Sequence, residues 1–143
     1  MALIHLAATP SGQHVLISDL AKDGKIPKKF LEFILLSLRK GGILQSKIGK
    51  GGGYSLALPP HKITIGSIVR ILEGDIAPVP CLSTTNYVKC EECHDEAICG
   101  IRLTMADVNV VLTRVLDGLT LADMVERSKN ERIKRQNIVD FNI

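Results

Sequence analysis

The stretch that decides the fold is residues 17–58, ISDLAKDGKIPKKFLEFILLSLRKGGILQSKIGKGGGYSLAL. It predicts a short helix with Ser18 as its N-cap, ended by Asp23-Gly24, and a second helix from Pro27 to Lys40 with Pro at its first position. Two helices joined by so tight a turn indicate a helix-turn-helix, whose second helix enters the DNA major groove.

The second predicted helix has two unlike faces. Its apolar stripe at helical spacing consists of Phe30, Leu31, Ile34, Leu35 and Leu38. Its opposite side carries Lys28, Lys29, Glu32, Arg39 and Lys40. Lys donates to guanine and Glu accepts from cytosine N4, so Lys28, Lys29 and Glu32 are candidate base readers. A solvated helix face has the same composition, and that alternative stays open.

A glycine-rich turn follows the helix pair. Residues 43–47 and 54–58 are strand-like, and IGKGGG at 48–53 joins them. This pattern predicts a β-wing whose backbone approaches phosphates closely, with Lys47, Lys50, Gly52 and Gly53 as candidate DNA contacts. Such a loop can also cradle a nucleotide, but the stretch has neither the dinucleotide fingerprint nor the Walker pattern.

Length and charge bound the possible functions. The 143 residues, 45% hydrophobic and 23% charged, suit one compact domain or one domain with an accessory element, which excludes a large multidomain enzyme. Residues 1–74 hold ten Lys and Arg against four Asp and Glu, whereas residues 75–143 hold eight against eleven. A basic first half fits phosphate contacts. No Ser-His-Asp or similar catalytic arrangement can be placed, so the sequence predicts no enzyme.

Targeting signals are missing from the sequence pattern. No apolar run reaches the roughly 18 to 20 residues that a membrane-spanning helix needs. The opening MALIHL lacks the basic segment and the cleavage site of a secretory signal. We therefore expect a cytoplasmic protein without a membrane partner.

Four cysteines crowd one polar stretch. Cys81, Cys90, Cys93 and Cys99 are spaced C-x8-C-x2-C-x5-C. Disulfides are disfavoured in a reducing compartment, so a metal centre is the better account. Thiolates bind iron-sulfur clusters, of the 2Fe-2S or 4Fe-4S type, and also zinc, which usually takes two close pairs where this loop has one. The string from Cys90 to His94 matches a c-type haem attachment pattern, which would require export.

The surroundings of these thiols suggest how they are tuned. Cys99 lies where the next helix begins, so the positive helix end should lower its pKa. Nearby acids should lower the reduction potential of a bound cluster if they lie close to it. These acids are Glu91, Glu92, Asp95 and Glu96.

Two further helices complete the predicted fold. A long helix is predicted from Ile98 to Asp117. The apolar residues along it and just after it are Ile101, Met105, Val108, Val111, Leu112, Val115, Leu116 and Leu119. This is more apolar surface than a small domain needs, which predicts a homodimer; alternatively the helix closes the protomer's own core. A last helix is predicted with Thr120 as N-cap through Arg135, followed by a tail.

Five ordered motifs connect these pieces. They are Ile17-x-x-Leu20-Ala21, Ile26-Pro27-x-x-Phe30-Leu31-Glu32, Leu38-x-x-x-Gly42, Ser46-x-x-Gly49-x-x-Gly52-Gly53-Tyr54 and Ile65-x-x-Ile68-x-x-x-Leu72-Glu73-Gly74. With the cysteines, the sequence resembles the IscR-like, Rrf-type family of bacterial winged-helix, iron-sulfur-responsive transcription regulators. The resemblance covers nearly the whole chain.

The resemblance implies homodimers whose wing and second helix contact double-stranded DNA. It also implies three cluster ligands at Cys81, Cys93 and Cys99 and a fourth residue. We favour Cys90 as this fourth ligand, with His94 or a residue of the partner protomer as alternatives. Two departures stand out: Ile48 occupies a place where the family has Arg or Lys, and the family has further residues before Ala2, so we expect this chain to start late.

These patterns predict a mainly α fold with a small β-wing. We expect a winged helix-turn-helix domain at 1–74, a cysteine-rich cluster-binding loop at 75–98, and a dimerisation helix with a C-terminal helix at 98–143. The predicted function is a homodimeric transcription regulator, such as a repressor, whose operator binding an iron-sulfur cluster modulates. The alternatives are a zinc-stabilised or cluster-free regulator acting through a protein partner, and an electron-transfer or cluster-carrier protein.

Overall fold

The computed structural model describes the backbone of residues 1–140 and the side chains of residues 1–136. Within this part of the chain lie six α-helices and one two-stranded antiparallel sheet, a mainly α fold with a small β-wing, as the sequence predicts. The elements are α1 (Ala2–Ala8), α2 (Ile17–Gly24), α3 (Lys28–Lys40), β1 (Leu44–Lys47), β2 (Gly53–Leu56), α4 (Ile65–Glu73), α5 (Gly100–Gly118) and α6 (Leu121–Asp140). Short 3-10 turns lie at Pro60–Lys62 and Pro80–Leu82.

The described residues pack as two compact units. The wing unit consists of residues 1–63 and 120–140, and the cysteine unit consists of residues 64–119. The wing unit contains the buried core, which is formed by Leu6, Leu20, Leu31, Leu35, Leu38, Ile43, Leu44, Ile63 and Leu121. The predicted functional division at 1–74, 75–98 and 98–143 stays a prediction.

The helix pair of the wing unit begins slightly differently from the prediction. Leu16 rather than Ser18 is the N-cap of α2, because the Leu16 carbonyl already accepts hydrogen bonds from the backbone N–H groups of Asp19 and Leu20 at 3.1 and 3.2 Å. Pro27 is the N-cap of α3 rather than its first helical residue. The turn between them depends on Lys25, which adopts the left-handed conformation with φ of 50°.

The apolar stripe of α3 is narrower than predicted. Leu31, Leu35 and Leu38 are buried and Ile34 is half-buried, but the side chain of Phe30 is 60% exposed. The assignment of Phe30 to the core stripe was therefore wrong. With 3.6 residues per turn, residue 30 falls at the margin of the face that these leucines define.

The wing is a regular hairpin. β1 and β2 pair antiparallel from Leu44 opposite Leu56 to Lys47 opposite Gly53. Both strands are shorter than the predicted runs 43–47 and 54–58. Two 2.9 Å backbone hydrogen bonds between Val15 and Tyr54 attach the segment before α2 to β2.

The last helix belongs to the wing unit. Thr120 caps it as predicted, because the Asp123 N–H donates to Thr120 Oγ1 at 3.2 Å while the Thr120 N–H donates to the Asp123 carboxylate at 2.8 Å. The buried Leu121 follows directly and donates its N–H to the Ile63 carbonyl at 2.8 Å. α6 runs to Asp140, so the predicted end at Arg135 was too early and residues 136–140 are helical rather than part of a tail; the rest of the predicted tail, 141–143, lies outside the described residues.

The cysteine unit combines α4, α5 and the loop between them. α5 begins at Gly100, so Ile98 lies before it rather than within it as predicted. Arg70 of α4 donates to both carboxylate oxygens of Asp117 on α5, at 2.6 and 2.9 Å. Gly66 leaves room for this pair, because a Cβ there would lie 1.9 Å from an Asp117 oxygen. None of the helices in the described part of the chain is long and apolar enough to span a bilayer.

Candidate functional site

The outer face of α3 is the first candidate site. Lys28, Lys29 and Glu32 are all exposed, and they lie at the N-terminal end of the helix as a base-reading position requires. The buried leucines hold the opposite side in the core, so this face is free to meet a ligand. Arg39, near the C-terminal end, donates to Ser46 Oγ at 3.0 Å and thereby connects α3 to the wing.

The wing places cations at the tip of a tight turn. Lys47 and Lys50 are both exposed, and Lys50 stands between Gly49 and Gly51, whose φ values are 96° and 75°. Ile48, beside them, is 96% exposed. The two glycines that flank Lys50 leave its charge open to a phosphate.

Gly52 and Gly53 have a structural requirement of their own. A Cβ at Gly52 would lie 2.4 Å from the Lys47 carbonyl oxygen, and one at Gly53 would lie 2.3 Å from the carbonyl oxygen of Val15. Only glycine fits both places, because backbone atoms cannot yield as a flexible side chain can. Their contact with DNA stays a prediction.

Phe33 is an exposed residue that the sequence analysis missed. Its side chain is 70% exposed in the middle of α3. The signal was present in the sequence, because the spacing of Leu31, Leu35 and Leu38 puts position 33 on the opposite side of the helix. An aromatic residue there cannot belong to the core.

The four cysteines line one cavity of the cysteine unit. Its volume is about 270 Å³, and its wall includes Val79, Cys81, Val88, Cys90, Cys93, Cys99 and Ile101. Cys90 is exposed, whereas the other three thiols are half-buried. His94 is exposed and does not line this cavity.

Cys99 is the N-cap of α5, and its thiol is tuned as predicted. The backbone N–H of Arg102 lowers the pKa of Cys99, and the neighbouring Cys93 thiol and the Ile101 N–H act in the same direction. Burial raises the pKa of Cys93, and its hydrogen bond to Cys99 raises this pKa further. Of these two neighbouring thiols, Cys99 therefore ionises more readily than Cys93.

Glu96 and Arg102 contribute charged groups to the wall of the same cavity. The Tyr87 hydroxyl donates to Glu96, which raises the pKa of Tyr87. Arg102 Nε lies 3.7 Å from Glu96 Oε2, too far for a hydrogen bond, and has no hydrogen-bond partner among the described residues although it is buried. Of the four acids predicted to lie near the thiols, Glu96 lines the cavity, and the guanidinium of Arg102 lies beside it.

Asp75 fixes the chain that leads to the first cysteine. Its carboxylate accepts hydrogen bonds from the hydroxyls of Ser83, Thr84 and Thr85, at 2.8, 3.0 and 2.7 Å, and from the Thr84 N–H. These donors, led by the Thr85 hydroxyl, hold the pKa of Asp75 far below its usual range. The turn that carries Cys81 is closed by this set of bonds.

The chemistry of these groups fits a thiolate-bound metal centre. Four thiols share one apolar cavity, one of them favours the thiolate, and a buried guanidinium nitrogen lacks an acceptor. Within residues 1–136, however, no three His, Cys, Asp or Glu side chains stand close enough together to hold a metal ion. Binding would thus require the loop to draw its sulfurs together.

Comparison with known proteins decides the family. Residues 1–127 match the family model described as Rrf2, iron-dependent transcriptional regulator. The chain belongs to the Rrf2 family. Among its relatives, a Rhodobacter capsulatus protein described as an rrf2-like HTH-type transcriptional regulator is 45% identical over 127 residues, which cover 87% of this chain and 85% of that protein.

Solved structures agree with the Rrf2 assignment. The B. subtilis CymR structure, described as the global cysteine regulator, has a TM-score of 0.69 and 29% identity, covering 87% of this chain and 88% of CymR. T. potens IscR has a TM-score of 0.67 and 28% identity, covering 89% of this chain and 80% of IscR. The Rrf2 match confirms the predicted winged-helix family and a role in DNA-binding transcription regulation rather than in an enzymatic reaction.

Proposed function

We propose that this Rrf2-family chain is a homodimeric, cytoplasmic regulator that binds duplex DNA through α3 and the wing and responds to an iron-sulfur centre held by Cys81, Cys90, Cys93 and Cys99. The observation that carries the proposal is that all four thiols line one cavity at the N-terminus of α5. Thiolates are the preferred ligands of such centres.

The DNA-binding part of the proposal is supported by the charges on one helix face and one turn. Lys28, Lys29, Lys47 and Lys50 are exposed, and each can neutralise a phosphate or donate to a base. Glu32 lies next to Lys28 and Lys29 on α3, where it can accept from cytosine N4. Gly52 and Gly53 keep the wing turn tight enough for its cations to reach the backbone of the duplex.

The homodimer is supported by the surface of α5. No residue of this 19-residue helix is buried within the chain. Its exposed apolar side chains are Ile101, Leu103, Val108, Val110, Val111, Leu112 and Val115. Such a surface is costly in water unless a second copy of the helix covers it.

The chain itself prepares the cysteine cavity for a bound centre. N–H groups of the first turn of α5 lower the pKa of Cys99, while burial raises the pKa of the neighbouring Cys93. Arg102 offers a buried N–H from the cavity wall. When bound, an iron-sulfur cluster would supply a centre whose charge and integrity respond to redox conditions. Cys90 lines the cavity and His94 does not, which supports Cys90 as the fourth ligand.

The proposal is tested first by the content of the purified protein. The protein purified anaerobically should contain iron and sulfide in equal amounts and should absorb visible light. Cys93→Ser should remove the iron, the sulfide and the absorption. His94→Ala is the matched control, because His94 is exposed in the same loop but does not line the cavity. A colourless protein with one zinc per chain would contradict the iron-sulfur part.

The second test compares loaded and stripped protein on the same DNA. Operator duplexes are enriched from random DNA with the loaded protein, and both forms are titrated against them at matched ionic strength. We expect different affinity or site preference for the two forms. Equal binding by both would remove the sensing role, and capture of a protein partner with no duplex enriched would favour a regulator that acts through that partner.

A further inference from the structure

A row of exposed side chains runs along the side of α3 that faces away from the core. Its members are Lys29, Phe33, Leu36 and Lys40, at spacings of four, three and four residues, which place them one above another on a helix. Phe33 is 70% exposed and Leu36 is 37% exposed, while both lysines are exposed. The row therefore has an apolar centre between two cationic ends.

The charges around this row indicate what covers it. Lys28 and Arg39 are also exposed on α3, and Glu32 is the only acid of the helix. An apolar centre with so many cations around it is suited to a ligand that combines negative charge at its edges with apolar groups between them. The major groove of DNA has this composition, because phosphates border it and thymine C5-methyl groups project into it.

We infer that Phe33 contacts thymine methyl groups in the major groove and thereby sets a preference for thymine within each half-site. The inference rests on the proposed DNA binding and deepens it by naming a specificity-determining residue and its base. Phe33 offers no hydrogen bond, so it discriminates by apolar contact alone. Lys29 and Glu32, on adjacent positions of the same face, remain free for the polar groups of neighbouring bases.

Replacement of thymidine by deoxyuridine isolates this contact. Deoxyuridine keeps every hydrogen-bonding group of thymidine and lacks only the methyl group. Burial of one such group corresponds to about a four-fold change in affinity. A dimer that contacts one thymine in each half-site should therefore lose on the order of fifteen-fold when both methyl groups are removed.

The experiment uses the full chain and duplexes enriched from random DNA. Each thymidine pair is replaced in turn, and the dissociation constant is measured by fluorescence anisotropy. The wild-type protein should show the loss at one symmetry-related pair, and Phe33→Ala should bind the thymidine and deoxyuridine duplexes equally at that pair. Ile48→Ala is the control, because it removes another exposed apolar side chain from the wing and should keep the sensitivity.

Each contrary outcome has a distinct meaning. If duplexes are enriched but no methyl group matters, or if Phe33→Ala keeps the full sensitivity, the inference is overturned and DNA binding stands. If Phe33→Ala changes the oligomeric state in sedimentation without DNA, the row is a protein interface and the inference is equally overturned. If no duplex is enriched at all, the proposed function fails and the inference fails with it.

Discussion

Replacement of Lys50 by Gln should change the salt dependence of DNA binding by an amount that counts wings. Lys50 is exposed at the tip of the turn between β1 and β2, held between two glycines of positive φ. Each phosphate that a cation neutralises contributes about 0.9 to the slope of log affinity against log salt. A homodimer carries two wings, so Lys50→Gln should reduce the magnitude of this slope by about 1.8.

This change in slope corresponds to a measurable difference in affinity. Between 50 and 200 mM salt, the wild-type protein should lose about twelve-fold more affinity than the variant. Anisotropy titrations of one enriched duplex at four salt concentrations measure both slopes. A reduction near 0.9 instead would mean that a single wing contacts a phosphate.

The matched control removes the same charge elsewhere on the wing unit. Lys129 is exposed on α6, among residues of both signs, so Lys129→Gln should leave the slope unchanged. If both variants reduce the slope equally, net charge rather than wing contact governs binding. If neither does, the wing does not contact phosphates and the placement of Lys50 in the DNA site is refuted.

Three further predictions concern stability. Lys25→Gly should raise the free energy of unfolding by about 0.5–1 kcal/mol in urea titrations. Glycine adopts the left-handed conformation of residue 25 without the steric penalty of Lys, and this gain exceeds the additional backbone entropy that glycine loses on folding. Lower stability would contradict this. Leu35→Ala should lower the free energy of unfolding by about 3–5 kcal/mol, since Leu35 is fully buried. Leu36→Ala should lower it far less, because the Leu36 side chain is already 37% exposed. Asp75→Asn should speed amide exchange at Thr84 near neutral pH. In the wild type, the protection of the Thr84 N–H by the Asp75 carboxylate is complete above the ordinary carboxyl pKa and is lost as the pH falls through the lowered pKa of Asp75. Protection that neither the substitution nor the fall in pH reduces would contradict this role of the carboxylate.

Local signals were enough to predict the main helices and the hairpin of the wing unit. The glycine-rich turn, the leucine spacing of α3 and Thr120 before Leu121 each specify an element through neighbours within a few residues. The errors lie at helix boundaries, such as the cap of α2 and the start of α5, and where a side chain had two allowed places. Phe30 continues the apolar pattern of α3 but stands at its margin, and only the packed structure decides that it stays exposed.

The cysteine cavity was predictable in composition but not in architecture. Four crowded thiols indicate a metal centre through their chemistry, and Cys99 at a helix start predicts its lowered pKa. The contacts of Asp75 with residues 83–85 and of Glu96 with Tyr87 and Arg102 depend on how an irregular loop folds back. Such a loop has no periodicity, so the sequence offers no rule that pairs these side chains.

One helix joins the two halves of the proposed mechanism. The N–H groups of the first turn of α5 lower the pKa of Cys99, and the same helix carries the exposed apolar surface assigned to the dimer. A change in the ligands of Cys99 therefore acts on the end of the element that would hold the two protomers together. Linkage makes the coupling reciprocal: if a loaded cavity increases operator affinity by some factor, operator DNA must increase the affinity of the cavity for its centre by the same factor. If the cavity holds a centre as proposed, the buried Nε of Arg102 on the cavity wall would act on the loaded state from within the cysteine unit.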